Sequence, residues 1–134
     1  MKFFVFYLML FFVLSCAKDN AGRIPNVYLN YRISIQEFQI KSTNGLLIVK
    51  NQGVAGLIIY RRPTGDYVAF DRCSSVNPEQ KCAVEPDDSG LTVTDPCSGA
   101  KFSLDDGAPV KAPAKRSLKQ YQVYQSTFDL SVNN

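Results

Sequence analysis

The chain has 134 residues, 46% of them hydrophobic and 20% charged, with a formal net charge of +3, four cysteines and no histidine. That length suits one domain with one modest core, and a charge so small and dispersed excludes nucleic-acid binding of the electrostatic kind. Without histidine there is no Ser-His or Cys-His nucleophile pair, so a general base would have to be a carboxylate or a lysine and the chain is not read as an enzyme.

Met1 and Lys2 precede an unbroken apolar run from Phe3 to Leu14, which ends at Ser15-Cys16. The run is shorter than the roughly 18 to 20 residues a membrane-spanning helix needs and has the layout of a secretory signal. Val13-Leu14-Ser15-Cys16 resembles a bacterial lipobox. That resemblance implies a signal peptide over residues 1–15, diacylglyceryl on the Cys16 thiol and an acylated new amino terminus. Each buried methylene contributes about 0.8 kcal/mol and one chain binds only marginally, so two or three acyl chains anchor the protein to a membrane without spanning it. Residues 16–26 are small and polar, contain Gly22 and Pro25, and are expected to form a lipidated tether. Lys18-Asp19 resembles the charged signals that send some Bacteroidetes lipoproteins to the cell surface.

From Val27 to Ile35 apolar and polar residues alternate, which predicts a half-buried strand. Further strands are expected at Leu46–Val49, Gly56–Tyr60, Tyr67–Phe70, Leu91–Thr94, Lys101–Leu104, Tyr121–Val123 and Thr127–Val132. Turn signals separate them: Asn44-Gly45, Pro63-Thr64-Gly65, Asp88-Ser89-Gly90 and Asp105-Asp106-Gly107. No helix is expected beyond the signal, apart from one turn within Ile35–Ile40. Residues 27–134 therefore read as one all-β domain, a small antiparallel sandwich or barrel. Tyrosines 28, 31, 60, 67, 121 and 124 are expected in core and cross-strand packing. The paired acids Asp87-Asp88 and Asp105-Asp106 adjoin turns, and Glu85–Asp88 lacks the spaced oxygens of a dedicated calcium loop. Lys111, Lys115, Arg116 and Lys119 cluster near the chain's end, interrupted by Pro113-Ala114, as a solvated loop rim.

Between Tyr67 and Val123 the motifs are more specific. Tyr67-Val-Ala-Phe-Asp-Arg-Cys73 resembles the strand entering the first loop of a Rieske iron–sulfur domain, and Asp95-Pro-Cys-Ser-Gly-Ala-Lys-Phe-Ser-Leu104 resembles the second-loop run Cys-Pro-Cys-His-Gly-Ser-x-Phe-x-Leu. Gly107-Ala-Pro-Val110, Pro113-Ala114, Leu118, Tyr121 and Val123 continue the family's cadence. A Rieske centre takes two histidines on one iron. The resemblance places Cys73 at the first ligand cysteine, Ser75 at its histidine, Asp95 at the second cysteine and Ser98 at the second histidine. It implies a Rieske-like fold with degenerate cluster positions and no predicted cofactor, a [2Fe–2S] cluster being the alternative.

Many Rieske proteins cross-link their two loops by a disulfide, and Cys82 and Cys97 match those positions. Such a bridge contributes on the order of 3 kcal/mol in the chain-entropy model. Cys73–Cys97 remains a competing pair, since sequence alone does not choose among three cysteines. The metal alternative is a cluster or zinc held by Cys73, Cys82, Cys97 and Asp95, without the short spacing of strong metal motifs. Three functional readings follow. The first is a lipid-anchored cell-envelope binding or structural module, on the outer membrane and facing periplasm or surface. It would meet an envelope protein at the tip formed by the Cys73–Val84 and Asp95–Ser103 loops, where Rieske proteins meet partners. The second is an electron carrier with a thiolate-ligated cluster. The third is a thiol-disulfide redox protein in which Cys73, slightly activated by Arg72, exchanges with the bridge.

Overall fold

A computed structural model of the chain describes residues 23–134, so the apolar leader, Cys16 and most of the expected tether lie outside the described residues. Ten strands and one short helix follow in order: β1 (Asn30–Ser34), α1 (Ile35–Lys41), β2 (Leu46–Val49), β3 (Leu57–Arg61), β4 (Tyr67–Asp71), β5 (Glu85–Pro86), β6 (Thr92–Thr94), β7 (Lys101–Ser103), β8 (Pro109–Lys111), β9 (Gln120–Gln125) and β10 (Asp129–Asn133). All pairings are antiparallel. They make a six-stranded sheet ordered β1-β10-β9-β4-β3-β2 and a four-stranded sheet ordered β5-β6-β7-β8. The expected all-β antiparallel architecture is the one found.

The alternation from Val27 does not continue through Ile35, because a helix begins there. Ser34 has extended backbone and its Oγ accepts the Glu37 N–H at 3.0 Å, while Lys41 closes on Glu37 at 2.5 Å one turn later. Ser34-Ile-Gln-Glu37 is a Ser-x-x-Glu N-terminal signature that overrides the period-two pattern. The helix buries Phe38, whose ring meets Tyr67 edge-on at 5.1 Å between centroids. After it, Asn44 and Gly45 take positive φ angles of 52° and 74° between Thr43 and Leu46, which exchange two backbone hydrogen bonds. This is the two-residue turn that Asn-Gly favours.

Strand β3 reads Leu-Ile-Ile-Tyr and is buried on both faces, as a continuous apolar run requires. Leu57 and Ile59, with Ala69 and Tyr121, join Leu29, Phe38, Leu130 and Val132 in one core. Ile58 and Tyr60, with Val68 and Phe70, join Val93, Phe102, Leu104 and Leu118 in a second. The small sheet is therefore an excursion between β4 and β9 that covers the second face. Its edge strands β5 and β8 escape the period-two pattern because each is three residues or fewer and includes a proline, which an edge tolerates. Two of the tyrosines expected in packing are exposed instead: Tyr28 lies outside the strands and Tyr124 sits on an open stretch of β9.

Candidate functional site

The site lies where the loop joining β4 to β5 meets the loop joining β6 to β7. The first follows β4: Cys73 bridges to Ala83, Ser74 N–H donates to Cys82 O at 2.9 Å and Val84 N–H donates to Arg72 O at 2.7 Å. Within this loop Pro78–Gln80 form a single 3₁₀ turn, flanked by Asn77 and Lys81 in left-handed conformation. The second loop joins β6 to β7 and is closed by Asp95 N–H to Ala100 O and Gly99 N–H to Asp95 O, both 2.8 Å.

Asp95 is completely buried, and its carboxylate gathers the two loops. Oδ1 accepts the Cys97 N–H at 2.8 Å, while Oδ2 accepts Ser98 Oγ–H at 2.6 Å and Ser74 Oγ–H at 2.7 Å. Burial pulls the Asp95 carboxyl upward, but hydrogen bonds from Ser98, Ser74 and Cys97 outweigh it and hold the group below the usual carboxylate range. Ser75, at the other expected histidine position, donates its Oγ–H to Arg116 O at 2.6 Å and so ties the first loop to the segment after β8.

Cys73 is free and wholly buried, with its thiol placed to donate to Pro78 O at 3.5 Å or Ser74 O at 3.7 Å. Burial first, and the Asp71 charge second, push this thiol up to about 11. Arg72 does not activate it, because the guanidinium Nε donates to Val84 O at 3.1 Å. Below the thiol, Asp71 accepts N–H groups of Val54 at 2.6 Å, Ala55 at 3.1 Å and Cys73 at 2.8 Å, together with Tyr121 O–H at 2.7 Å. Cys82 and Cys97 are joined as a disulfide across the two loops, with Cα atoms 6.3 Å apart. Cys73 does not bridge to Cys97 in this structure. One carboxylate oxygen of Asp95 and the two bridged sulfurs lie within 4.8 Å of one another, and Cys97 is exposed.

The expected positions Cys73, Ser75, Asp95 and Ser98 thus converge, but in three separate hydrogen-bonded units rather than one. Sequence reasoning assigned no site role to Ser74, Asp71 or Tyr121, although Tyr121 was expected in packing and is buried. A signal for Asp71 was present: Asp71-x-Cys73 and Asp95-x-Cys97 repeat one spacing, and in both the carboxylate accepts the N–H two residues on. For Ser74 there was none, since its role depends on a partner 21 positions away.

No protein-family model and no curated protein matches the chain. Among solved structures it is similar to the plasma membrane Rieske protein PetC3 of the cyanobacterium Synechocystis PCC 6803, at 21% identity and a TM-score of 0.56, covering 80% of this chain and 98% of that one. A chain of the complex of reduced oxygenase and oxidized ferredoxin in carbazole 1,9a-dioxygenase is similar at 18% identity and a TM-score of 0.55, covering 78% and 93%. The ferredoxin of carbazole 1,9a-dioxygenase from Nocardioides aromaticivorans IC177 follows at 13%, with a TM-score of 0.52 and coverage of 75% and 95%. At these identities the likeness speaks for the fold, which is Rieske-like.

Proposed function

We propose that this is a lipid-anchored Rieske-like domain whose tip has exchanged cluster ligation for internal hydrogen bonding and a disulfide, and which serves as a binding or structural module of the cell envelope. The observation that carries the reading is the Asp95 carboxylate, held by three protein donors at the place of a ligand cysteine. The residues at the four cluster positions do not fit the group: the Cys73 thiol is spent on carbonyl oxygens, Ser75 on Arg116 O and Ser98 on Asp95. Serine hydroxyls are poor iron ligands beside imidazole or thiolate. The thiol-exchange reading is disfavoured in turn by a buried, neutral Cys73.

In this reading the leader is residues 1–15, the lipidated tether is 16–26 and the folded domain is 27–134. The end of the tether is held against the domain, since Lys119 Nζ donates to Pro25 O at 3.2 Å and Asn26 Oδ1 at 2.5 Å. A protein partner would meet the exposed rim of the tip at Glu79, Gln80, Lys81, Pro96 and Cys97.

The test is iron and acid-labile sulfide content, with a visible spectrum, of the full chain purified without oxygen. The expected result is colourless protein with iron and sulfide near zero. Stoichiometric iron and sulfide with thiolate-to-iron absorption would overturn the reading in favour of an electron carrier.

A further inference from the structure

We propose that the Cys82–Cys97 bridge masks a site for a thiophilic divalent cation such as zinc, which opens on reduction and holds the ion through Cys82 Sγ, Cys97 Sγ and the Asp95 carboxylate. The inference rests on the cluster-free reading of the tip.

The three ligand atoms already lie within 4.8 Å of one another. Two thiolates bound to one zinc at about 2.3 Å in a tetrahedron stand about 3.8 Å apart, so the reduced sulfurs need to separate only modestly around Cα atoms 6.3 Å apart. Asp95 is pre-positioned for the third bond. Its three donors fix its orientation, and a carboxylate offers about four lone-pair directions, so one remains for a cation. Two thiolates select zinc-like over calcium-like ions. The exposure of Cys97 leaves the fourth position to water and gives a reductant access to the bridge. Cys73 is not a member of the set; its sulfur is buried and turned to the carbonyls of Ser74 and Pro78.

The chemistry balances with a dithiol as reductant. A dithiol is oxidised to its disulfide as the Cys82–Cys97 S–S bond takes up two electrons and two protons to give two thiols. Zinc then displaces both protons, forming two Zn–S bonds and a Zn–O bond to Asp95. Binding therefore releases protons and weakens as pH falls.

The test is zinc binding by the full chain in detergent, oxidised and dithiol-reduced, using a competing zinc-sensitive dye, with alkylation of each cysteine mapped by mass spectrometry. The expected result is one zinc per reduced chain, none per oxidised chain, and zinc-dependent protection of Cys82 and Cys97 from alkylation. Asp95→Asn should weaken binding about ten-fold or more, and Cys73→Ala should leave it unchanged. The proposal is overturned if the reduced chain takes no zinc, if the oxidised chain binds equally, or if zinc leaves Cys82 and Cys97 open to alkylation. Full affinity in a folded Asp95→Asn variant would overturn it as well. The alkylation result needs no variant to fold, and iron content measured on the same preparation separates failure here from failure of the cluster-free reading.

Discussion

A carboxylate cut off from water is tolerable only where donors meet its charge, and Asp95 has three. Replacing it by asparagine removes the charge and sets an NH₂ group against hydroxyls that were donating, at a cost of about 2 kcal/mol. The sign of the pH dependence follows from the direction of the shift. Asp95 is held below its ordinary value when folded, so its contribution is complete above the unfolded carboxylate range, near about pH 4, and is lost as pH falls through the lowered folded value. Urea unfolding of the wild type and Asp95→Asn should differ most at neutral pH and converge on acidification. A constant difference would mean the carboxylate's charge is not what matters. Cys73 supports a second expectation. A thiol that is buried and pushed up to about 11 should alkylate at least about a hundred-fold more slowly in the native chain than in urea, measured on the peptide carrying it. Equal rates would place the thiol at the surface.

Legibility at the level of elements depended on how local each signal was. The Asn44-Gly45 turn and the strands of β2, β3 and β4 were readable because a dipeptide or a run of four apolar residues specifies them. Helix α1 was signalled equally locally by Ser34 and Glu37, but the apolar alternation running up to Ile35 competed with it. Strands β5 and β8 exist only because β6 and β7 are there to pair with, and two or three residues carry no period of their own. The loop after β7 shows how a turn can also be a packing device. Gly107 has φ of 74°, and a Cβ built there would stand 2.7 Å from the Phe70 ring in the second core. Gly107→Ala should therefore destabilise by about 2 to 4 kcal/mol, combining left-handed strain with overpacking. The check is the urea midpoint at unchanged m-value. A loss below about 1 kcal/mol would show that Phe70 moves aside freely.

At the scale of the molecule, the expected processing site lies outside the described residues. The first buried apolar residue among those described is Leu29, and the segment just before it is fixed by Lys119 and by Asn134, whose Nδ2 donates to Val27 O. In the proposed reading, this domain is the folded part and the lipidated end holds it at the membrane. None of the described helices is long and apolar enough to cross a bilayer; in the reading proposed above, attachment is by acyl chains on Cys16. One chain holds a protein only marginally, whereas two or three hold it stably. Intact mass spectrometry of the membrane-extracted protein should show a chain beginning at Cys16 with the added mass of its acyl groups, and Cys16→Ser should abolish both the cleavage and the added mass. An unmodified chain that still begins at Met1 would instead make the apolar leader itself the anchor.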